Sequence, residues 1–299
     1  MKQFPKMVDD TMVRMRKGMA DGLMPPKFLL EKVVAQAEGM AKTKPEDSPF
    51  ARPIAKIPAE FSLEDRARIR EAFLAAIRDG VLPAYARFAA FVRDEYAPRG
   101  RTQPGMWSLP DGAARYAAAV KRSTTTDLTP EQIHKIGLEQ VTEIETQMLA
   151  IARKLGFADI KSLNASIEKD PKLHPRSREE ILNLYRGYVA QMNPELPKLF
   201  GRLPKAAVEV DAVEAFREKE ASGAQYNQGA KDGSRPGRIM VNTSDPESRK
   251  TISMESTAYH EGVPGHHLQI SIAQELENLP PVRQQTSYTA FVEGWALYS

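Results

Sequence analysis

The feature that most constrains this 299-residue chain is a histidine-rich stretch interrupted by glycine and proline, residues 254–269, MESTAYHEGVPGHHLQ. It holds three of the five histidines in the sequence, His260, His266 and His267, and Glu261 directly follows the first of them. Imidazoles and carboxylates are common ligands of divalent metals. We therefore interpret this stretch as one part of a metal site.

A regular helix cannot bring these histidines onto one ion. Two imidazoles share an ion when they lie four positions apart, because residues i and i+4 are about 40° apart around the helix axis. His260 and His266 are six positions apart, so a regular helix would place them about 240° apart. His260 and His267 would share a face but lie two turns, or about 10 Å, apart. An unbroken helix therefore forbids the metal site.

The residues between the histidines provide a way to break the helix. Pro264 has no backbone N–H to donate and clashes with the preceding turn, and Gly262 and Gly265 accept unusual backbone angles. We predict that the helix is broken or bulged over this Gly-Val-Pro-Gly segment, so that His266 returns beside His260. The alternative is that one helix ends and another begins here, with the histidines present by chance.

A third ligand is expected from the stretch FVEGWALYS, residues 291–299. Its Glu293 lies among apolar neighbours on a predicted helix, where a carboxylate needs a partner. The Leu-Pro-Pro segment at 279–281 allows this helix to turn back against the first. The sequence has no cysteine, so His, Asp or Glu must bind a transition metal. Zinc hydrolysis also needs a base beside the bound water, and Glu261 is the candidate.

The rest of the chain predicts a mainly α-helical protein with a small β-sheet, an α+β fold. β-branched alternation predicts strands only at 206–213 and 238–242. Helical periodicity and capping signals predict helices at 6–22, 27–41, 62–77, 83–96, 113–122, 129–155 and 178–192, and again from about residue 250. We divide the chain into a helical region, 1–104, and a metallopeptidase-like catalytic region, 105–299, which we expect to be incomplete at its C-terminal end.

Composition argues against several classes of function. With 41% apolar residues, 27% charged residues and a net charge of +3, the chain is globular and lacks a basic stripe for nucleic acid. No apolar run reaches the roughly 18–20 residues of a membrane-spanning helix. Residues 1–15 lack the apolar core of a signal peptide, and residues 295–299 lie inside a patterned helix without a stop signal. We therefore expect the sequence to be a fragment of a longer protein.

Several segments together resemble a known family. The runs HEGVPGHHLQ (260–269), FVEGWALYS (291–299), DGSRPGRIMVNT (232–243) and LPDGAARYAAAVKRSTTTDLTPEQIHKIGLEQV (109–141) resemble the bacterial domain of unknown function 885 family. That family is grouped by resemblance with the gluzincin zinc metallopeptidases. The resemblance implies a gluzincin-like catalytic architecture and, for a full-length protein, a periplasmic or secreted location.

The resemblance also implies roles for individual residues. His260, His266 and Glu293 would be zinc ligands, and Glu261 would be the general base. The run VEGWA is similar to the Asn-Glu-Gly-Phe-Ala run of the one-zinc aminopeptidases, whose glutamate is a ligand. The longer spacing between the histidines departs from the usual motif and leaves His267 as an alternative to His266.

Substrate contacts are implied in the same way. In related metallopeptidases an edge strand before the zinc helix pairs with the substrate backbone, which implies a substrate-binding role for Arg238, Met240 and Asn242 of RIMVN (238–242). An ordinary strand is the alternative. Those enzymes also use a tyrosine or histidine to stabilise the oxyanion, and three tyrosines are candidates here: Tyr226, which we also count among the substrate-binding residues, Tyr288 and Tyr298.

The sequence thus predicts a zinc-dependent hydrolase that cleaves peptide bonds in a peptide or small amide substrate, with metal-activated water and a glutamate base. Another divalent metal is an alternative to zinc, since two histidines and a glutamate suit several ions. A non-catalytic, metal-stabilised module that binds peptides is the alternative function. We expect no nucleic-acid partner and no membrane span in this chain.

Overall fold

Helices make up most of the structure, a computed structural model that describes residues 1–299 except for the side chain of Gln285. One three-stranded sheet accompanies them, so the predicted α+β class, mainly helical with a small sheet, is confirmed. The chain folds as two compact units, the first taking residues 1–116 and 214–220 and the second taking 117–213 and 221–299. The division predicted from the sequence was drawn after residue 104.

The first unit is built from four helices: α1 (Phe4–Ala20), α2 (Lys27–Ala41), α3 (Leu63–Ala76) and α4 (Leu82–Phe91). π-helical turns, Ile77–Val81 and Val92–Tyr96, continue α3 and α4. The two helices predicted at 62–77 and 83–96 therefore form one continuous rod. Most of the buried side chains in the two apolar clusters of the unit come from α2, α3, α4 and the π-helical turns.

Nine helices and three strands follow in the remaining sequence. The helices are α5 (Gly112–Thr124), which crosses the boundary between the units, α6 (Pro130–Lys154), α7 (Ile160–Lys169), α8 (Arg178–Met192), α9 (Leu196–Leu199), α10 (Met254–Glu261), α11 (His266–Glu275), α12 (Pro281–Gln285) and α13 (Thr289–Tyr298). The strands are β1 (Val208–Ala212), β2 (Ala224–Asn227) and β3 (Gly237–Val241).

Helix α6 is the longest helix and is largely exposed. It begins with a capping box, in which the side chain of Thr129 accepts from the backbone of Gln132 and the Gln132 side chain accepts from the backbone of Thr129. Only Ala152 of α6 is buried. Large apolar side chains along and just after the helix are exposed: Ile136, Leu138, Val141, Ile144, Met148, Ile151 and Leu155. In the described part of the chain, no helix has both the length and the apolar character to cross a membrane.

Strand β3 is the central strand of the sheet, whose order is β1-β3-β2. It pairs in parallel with β1 and antiparallel with β2. The predicted use of residues 238–242 as an edge strand for the substrate is therefore wrong, because both sides of β3 already bond to neighbouring strands. The two edge strands are β1 and β2, and this order depends on contacts between segments far apart in the sequence.

The sheet shares one apolar core with the helices that carry the histidines. Ile239 and Val241 of β3 are buried on the same face, because alternate residues of a strand point to the same side. The cluster around them includes residues of α8, α10 and α11 and of the segment that joins the last two: Ile181, Tyr185, Val189, Ala258, Val263 and Leu268. This shared core sets the positions of α10 and α11 against the sheet.

Candidate metal centre

The histidine stretch folds as two helices separated by a tight bend. Helix α10 ends at Glu261 and α11 begins at His266, which confirms the predicted break. The N–H of Gly265 donates to the carbonyl oxygen of Tyr259 over 3.0 Å. A Cβ atom at Gly265 would lie 2.1 Å from the carbonyl oxygen of His260, so only glycine allows this close approach.

The bend brings His260 and His266 together with Glu293. The Oε2 atom of Glu293 lies 3.6 Å from Nε2 of His260 and 3.7 Å from Nε2 of His266. The two imidazole rings are 4.7 Å apart and nearly perpendicular, at 78°. One ligand atom from each of the three residues lies within 4.8 Å of the other two. The two imidazoles, which a regular helix would point in different directions, and the carboxylate of a distant helix therefore face a common point.

Two hydrogen bonds hold the helix of Glu293 against the bend. The indole Nε1–H of Trp295 donates to the carbonyl oxygen of Pro264 over 2.8 Å. The side-chain amide of Gln269 donates to the carbonyl oxygen of Phe291 over 3.0 Å. From the sequence, Trp295 is simply one of the apolar neighbours of Glu293. Its N–H in fact ties α13 to the segment between the two histidine helices.

The geometry of the three side chains fits a divalent ion. Distances of 3.6 and 3.7 Å are too long for hydrogen bonds between them. They approach the separation of about 3.3 Å expected between ligands of a tetrahedral ion with bonds of about 2.0–2.1 Å. The ring of His266 is almost buried, and its Nδ1 has no hydrogen-bond partner among the described atoms. Burial also lowers the pKa of His266, which favours the neutral imidazole that metals bind.

Glu261 lies directly beside this group and is partly buried. Burial raises the pKa of Glu261 above the usual value for a carboxyl. The charge of His260 opposes that rise, the charge of Glu293 adds to it, and the backbone N–H of Tyr226 opposes it by donating a hydrogen bond to the carboxylate. A carboxylate with a raised pKa, next to the convergence of three ligands, is suited to proton transfer.

His267 does not belong to the converging group. Its ring is 2% exposed, with Nε2 lying 3.0 Å from the carbonyl oxygen of Ala206 and Nδ1 lying 3.0 Å from the hydroxyl of Tyr226. Burial lowers the pKa of His267 to about 4. Of the two histidines between which the sequence left the choice open, the structure brings His266 and not His267 to His260 and Glu293.

Comparison with known proteins adds the family. All of residues 1–299 match the family described as "Bacterial protein of unknown function (DUF885)". The chain belongs to this family. A comparison with curated proteins finds no match.

One solved structure has a fold similar to that of this DUF885 chain. The protein, described as "the putative lipoprotein from Colwellia psychrerythraea", matches with a TM-score of 0.88 and 27% sequence identity. The match covers 99% of the present chain and 52% of the other. The DUF885 chain studied here therefore spans about half the length of that protein.

The predicted tyrosines of this DUF885 protein lie in different surroundings. Tyr298 is 85% exposed and its ring lies 6.2 Å from that of Trp295. Tyr288 is 44% exposed and directly precedes α13. Tyr226 is partly buried, and its hydroxyl is bound to His267. The structure thus brings the Tyr226 backbone to Glu261, whereas the oxyanion roles of all three tyrosines stay predictions.

The residues predicted to bind substrate on β3 are mostly inaccessible. Met240 is 2% exposed and Asn242 is 3% exposed, with the Asn242 amide donating to the carbonyl oxygen of Ala221 over 3.0 Å. Arg238 lies 3.5 Å from Asp211 and is one-quarter exposed. Met240 and Asn242 are therefore corrected to structural positions, because their side chains are enclosed by the protein.

Tyr185 of α8 is a neighbour of the site that sequence reasoning missed. Burial raises the pKa of Tyr185 to about 12, a hydrogen bond with Thr257 opposes the rise, and the charge of Glu261 adds to it. Tyr185 occupies a buried position on an ordinary amphipathic helix. Nothing in its sequence surroundings distinguishes it from other core residues.

Proposed function

We propose that this protein is a zinc-dependent hydrolase of peptide bonds, with His260, His266 and Glu293 as metal ligands and Glu261 as the general base. The observation that carries the proposal is the convergence of two imidazoles and one carboxylate beside a partly buried second carboxylate. Three protein ligands with an adjacent base is the arrangement typical of catalytic rather than structural zinc sites.

The chemistry divides between the ion and the protein. A zinc ion at this position would polarise a substrate carbonyl and lower the pKa of a water molecule toward about 7. Glu261 accepts the proton of the attacking water and passes it to the amine that leaves. Burial raises its pKa above that of an ordinary carboxyl, which makes it a stronger base for that proton.

The sheet offers an edge close to the base. Strand β2 has only one partner strand, β3, and the N–H of Tyr226 on β2 reaches the carboxylate of Glu261. A peptide that extends the sheet must add to an edge strand. We assign this role to β2 in place of β3, because β2 is the edge strand in contact with Glu261.

The test compares Glu261→Gln with the native protein. Gln keeps the size of the side chain but cannot act as a base, so zinc content should be unchanged while cleavage of a peptide library falls by about 100- to 10,000-fold. Zinc is measured by elemental analysis and cleavage by mass spectrometry. Glu255→Gln is the matched control, since Glu255 lies on the same helix and accepts from the hydroxyl of Tyr259.

Two results would contradict the proposal. Undiminished cleavage by Glu261→Gln would remove the proposed base. Stoichiometric zinc without cleavage of any peptide by the native protein would instead favour the non-catalytic, metal-stabilised peptide-binding module.

A location outside the cytoplasm, periplasmic or secreted, accompanies this proposal. It is supported by the similar Colwellia psychrerythraea protein, which is described as a "putative lipoprotein". Fractionation of cells that express the natural gene, followed by immunodetection, tests it. Recovery in the cytoplasmic fraction alone would rule it out.

A further inference from the structure

We infer that His267 is a positioning residue that acts through Tyr226 to hold the carboxylate of Glu261. The inference rests on the proposed function of Glu261 as a base. It joins three contacts that run from α11 through β2 to α10. In order, they are the contact of Ala206 with His267, that of His267 with Tyr226, and that of Tyr226 with Glu261.

The direction of the hydrogen bonds follows from their acceptors. The carbonyl oxygen of Ala206 can only accept, so Nε2 of His267 carries the proton and donates to it. The ring is 2% exposed, and its nitrogens face a backbone carbonyl and two hydroxyls, surroundings that favour the neutral imidazole. Nδ1 therefore accepts, and the hydroxyl of Tyr226, 3.0 Å away, must donate to it.

The Tyr226 backbone completes the chain. In an antiparallel pair the backbone groups of a strand point alternately toward and away from the partner strand. The N–H of Asn242 donates to the carbonyl oxygen of Gly223, so the N–H of Tyr226, three positions on, is turned away from β3. It donates to the Glu261 carboxylate. Because the phenol of the same residue is fixed by His267, β2 is held at both its side chain and its backbone.

The neighbouring strand leaves little space for this phenol to move. A Cβ atom at Gly237 would lie 2.5 Å from the hydroxyl oxygen of Tyr226 and 2.6 Å from Nδ1 of His267. Because glycine has no side chain, the backbone of β3 can lie against the hydrogen bond between Tyr226 and His267 at this position. Ser271, whose hydroxyl is 3.4 Å from that of Tyr226, borders the same contact.

The segment of Ala206, whose carbonyl oxygen accepts from His267, is also held in place. Glu275 of α11 is 5% exposed, and its Oε1 accepts from the backbone N–H of Lys205 over 2.7 Å. Arg202 donates to the carbonyl oxygen of Glu275 over 3.2 Å. The segment that carries Ala206 is thus tied to the same helix as His267, so the chain of contacts starts from a fixed point.

The experiment is a double-mutant cycle with Tyr226→Phe and His267→Gln. Each single change should lower kcat by about 10- to 100-fold while zinc content and KM stay near native values. If His267 acts through the phenol of Tyr226, the double variant should be no slower than the worse single variant. Tyr116→Phe and His134→Gln, two exposed residues, are the matched controls and should leave kcat unchanged.

A second measurement does not need catalysis. Hydrogen exchange at the backbone amide of Tyr226 reports its bond to Glu261, and both single variants should lose protection there. Unchanged exchange in both variants, or effects on kcat that multiply in the double variant, would overturn the inference. If both variants lose protection but the native protein cleaves no peptide, the chain of contacts stands and the proposed hydrolase is rejected.

Discussion

The indole N–H of Trp295 donates to the carbonyl oxygen of Pro264 over 2.8 Å. This bond joins the helix of the third candidate ligand to the bend between the first two. Pro264 thus has two roles. It has no N–H with which to continue α10, and its carbonyl oxygen accepts the hydrogen bond that holds α13. The position of Glu293 therefore depends on the same bend that brings the histidines together.

Removing this bond should weaken metal binding without unfolding the protein. Trp295→Phe keeps an aromatic ring against Phe200 but has no N–H to donate. We expect zinc affinity, measured by competition with a chromogenic chelator, to fall about 10-fold. Trp107→Phe is the control, since Trp107 is 74% exposed in the first unit. Equal affinities in the native and Trp295→Phe proteins would contradict the anchoring role.

Zinc should stabilise the fold through Glu293. An ion at 100 times its dissociation constant raises the free energy of unfolding by about 2.7 kcal/mol. Calorimetry with and without zinc should show this rise for the native protein and little of it for Glu293→Ala. Glu277→Ala removes another exposed carboxylate and should keep the full effect. A zinc-dependent rise that survives in Glu293→Ala would exclude Glu293 as a ligand.

The bend should not accept a side chain at Gly265. Its Cβ would meet the carbonyl oxygens of His260 and Tyr259 at 2.1 and 2.4 Å, so Gly265→Ala should lower the free energy of unfolding by about 1–3 kcal/mol or more. Gly187→Ala lies in α8 with open space around it and should stabilise by up to about 1 kcal/mol. Urea titration distinguishes the two, and a neutral Gly265→Ala would show that the bend relaxes.

The exposed apolar face of α6 should make this chain self-associate. Large exposed apolar patches promote association of soluble proteins. Ile144→Glu combined with Met148→Glu places two charges in the middle of that face, where both native side chains are exposed. Analytical ultracentrifugation should show less association for the double variant at equal concentration. Leu203→Glu changes an exposed apolar residue outside α6; it is the control and should have little effect.

Much of the candidate site could be predicted because it depends on local geometry. The six-residue spacing of His260 and His266, with Pro264 between them, required a broken helix, and α10 and α11 have that form. Glu293 was predicted as a carboxylate among apolar neighbours, but its side chain is 57% exposed, so burial is not the reason that it faces the histidines. The break needed only helix periodicity and the properties of proline and glycine, whereas Glu293 also needed the resemblance of VEGWA to a known ligand run.

The errors came from contacts between distant segments. The pattern of residues 238–242 predicts a strand but does not say which strands lie on either side of it, and β3 proved to be central. His267 has the same side chain as His266. Which of the two imidazoles faces His260 depends on the residue at which α11 begins, and the sequence does not fix that residue. The partners of Tyr226 lie 41 and 45 positions away at His267 and Ser271, and no sequence pattern links them.

The three candidate ligands differ in their access to solvent. The side chain of Glu293 is 57% exposed, whereas those of His260 and His266 are 28% and 9% exposed. Ions would therefore enter and leave on the carboxylate side, without any opening of the apolar core behind the imidazoles. A chelator or a competing ion could then reach the site in the folded protein, so the zinc contents of variants should be compared after equal exposure to one zinc-containing buffer.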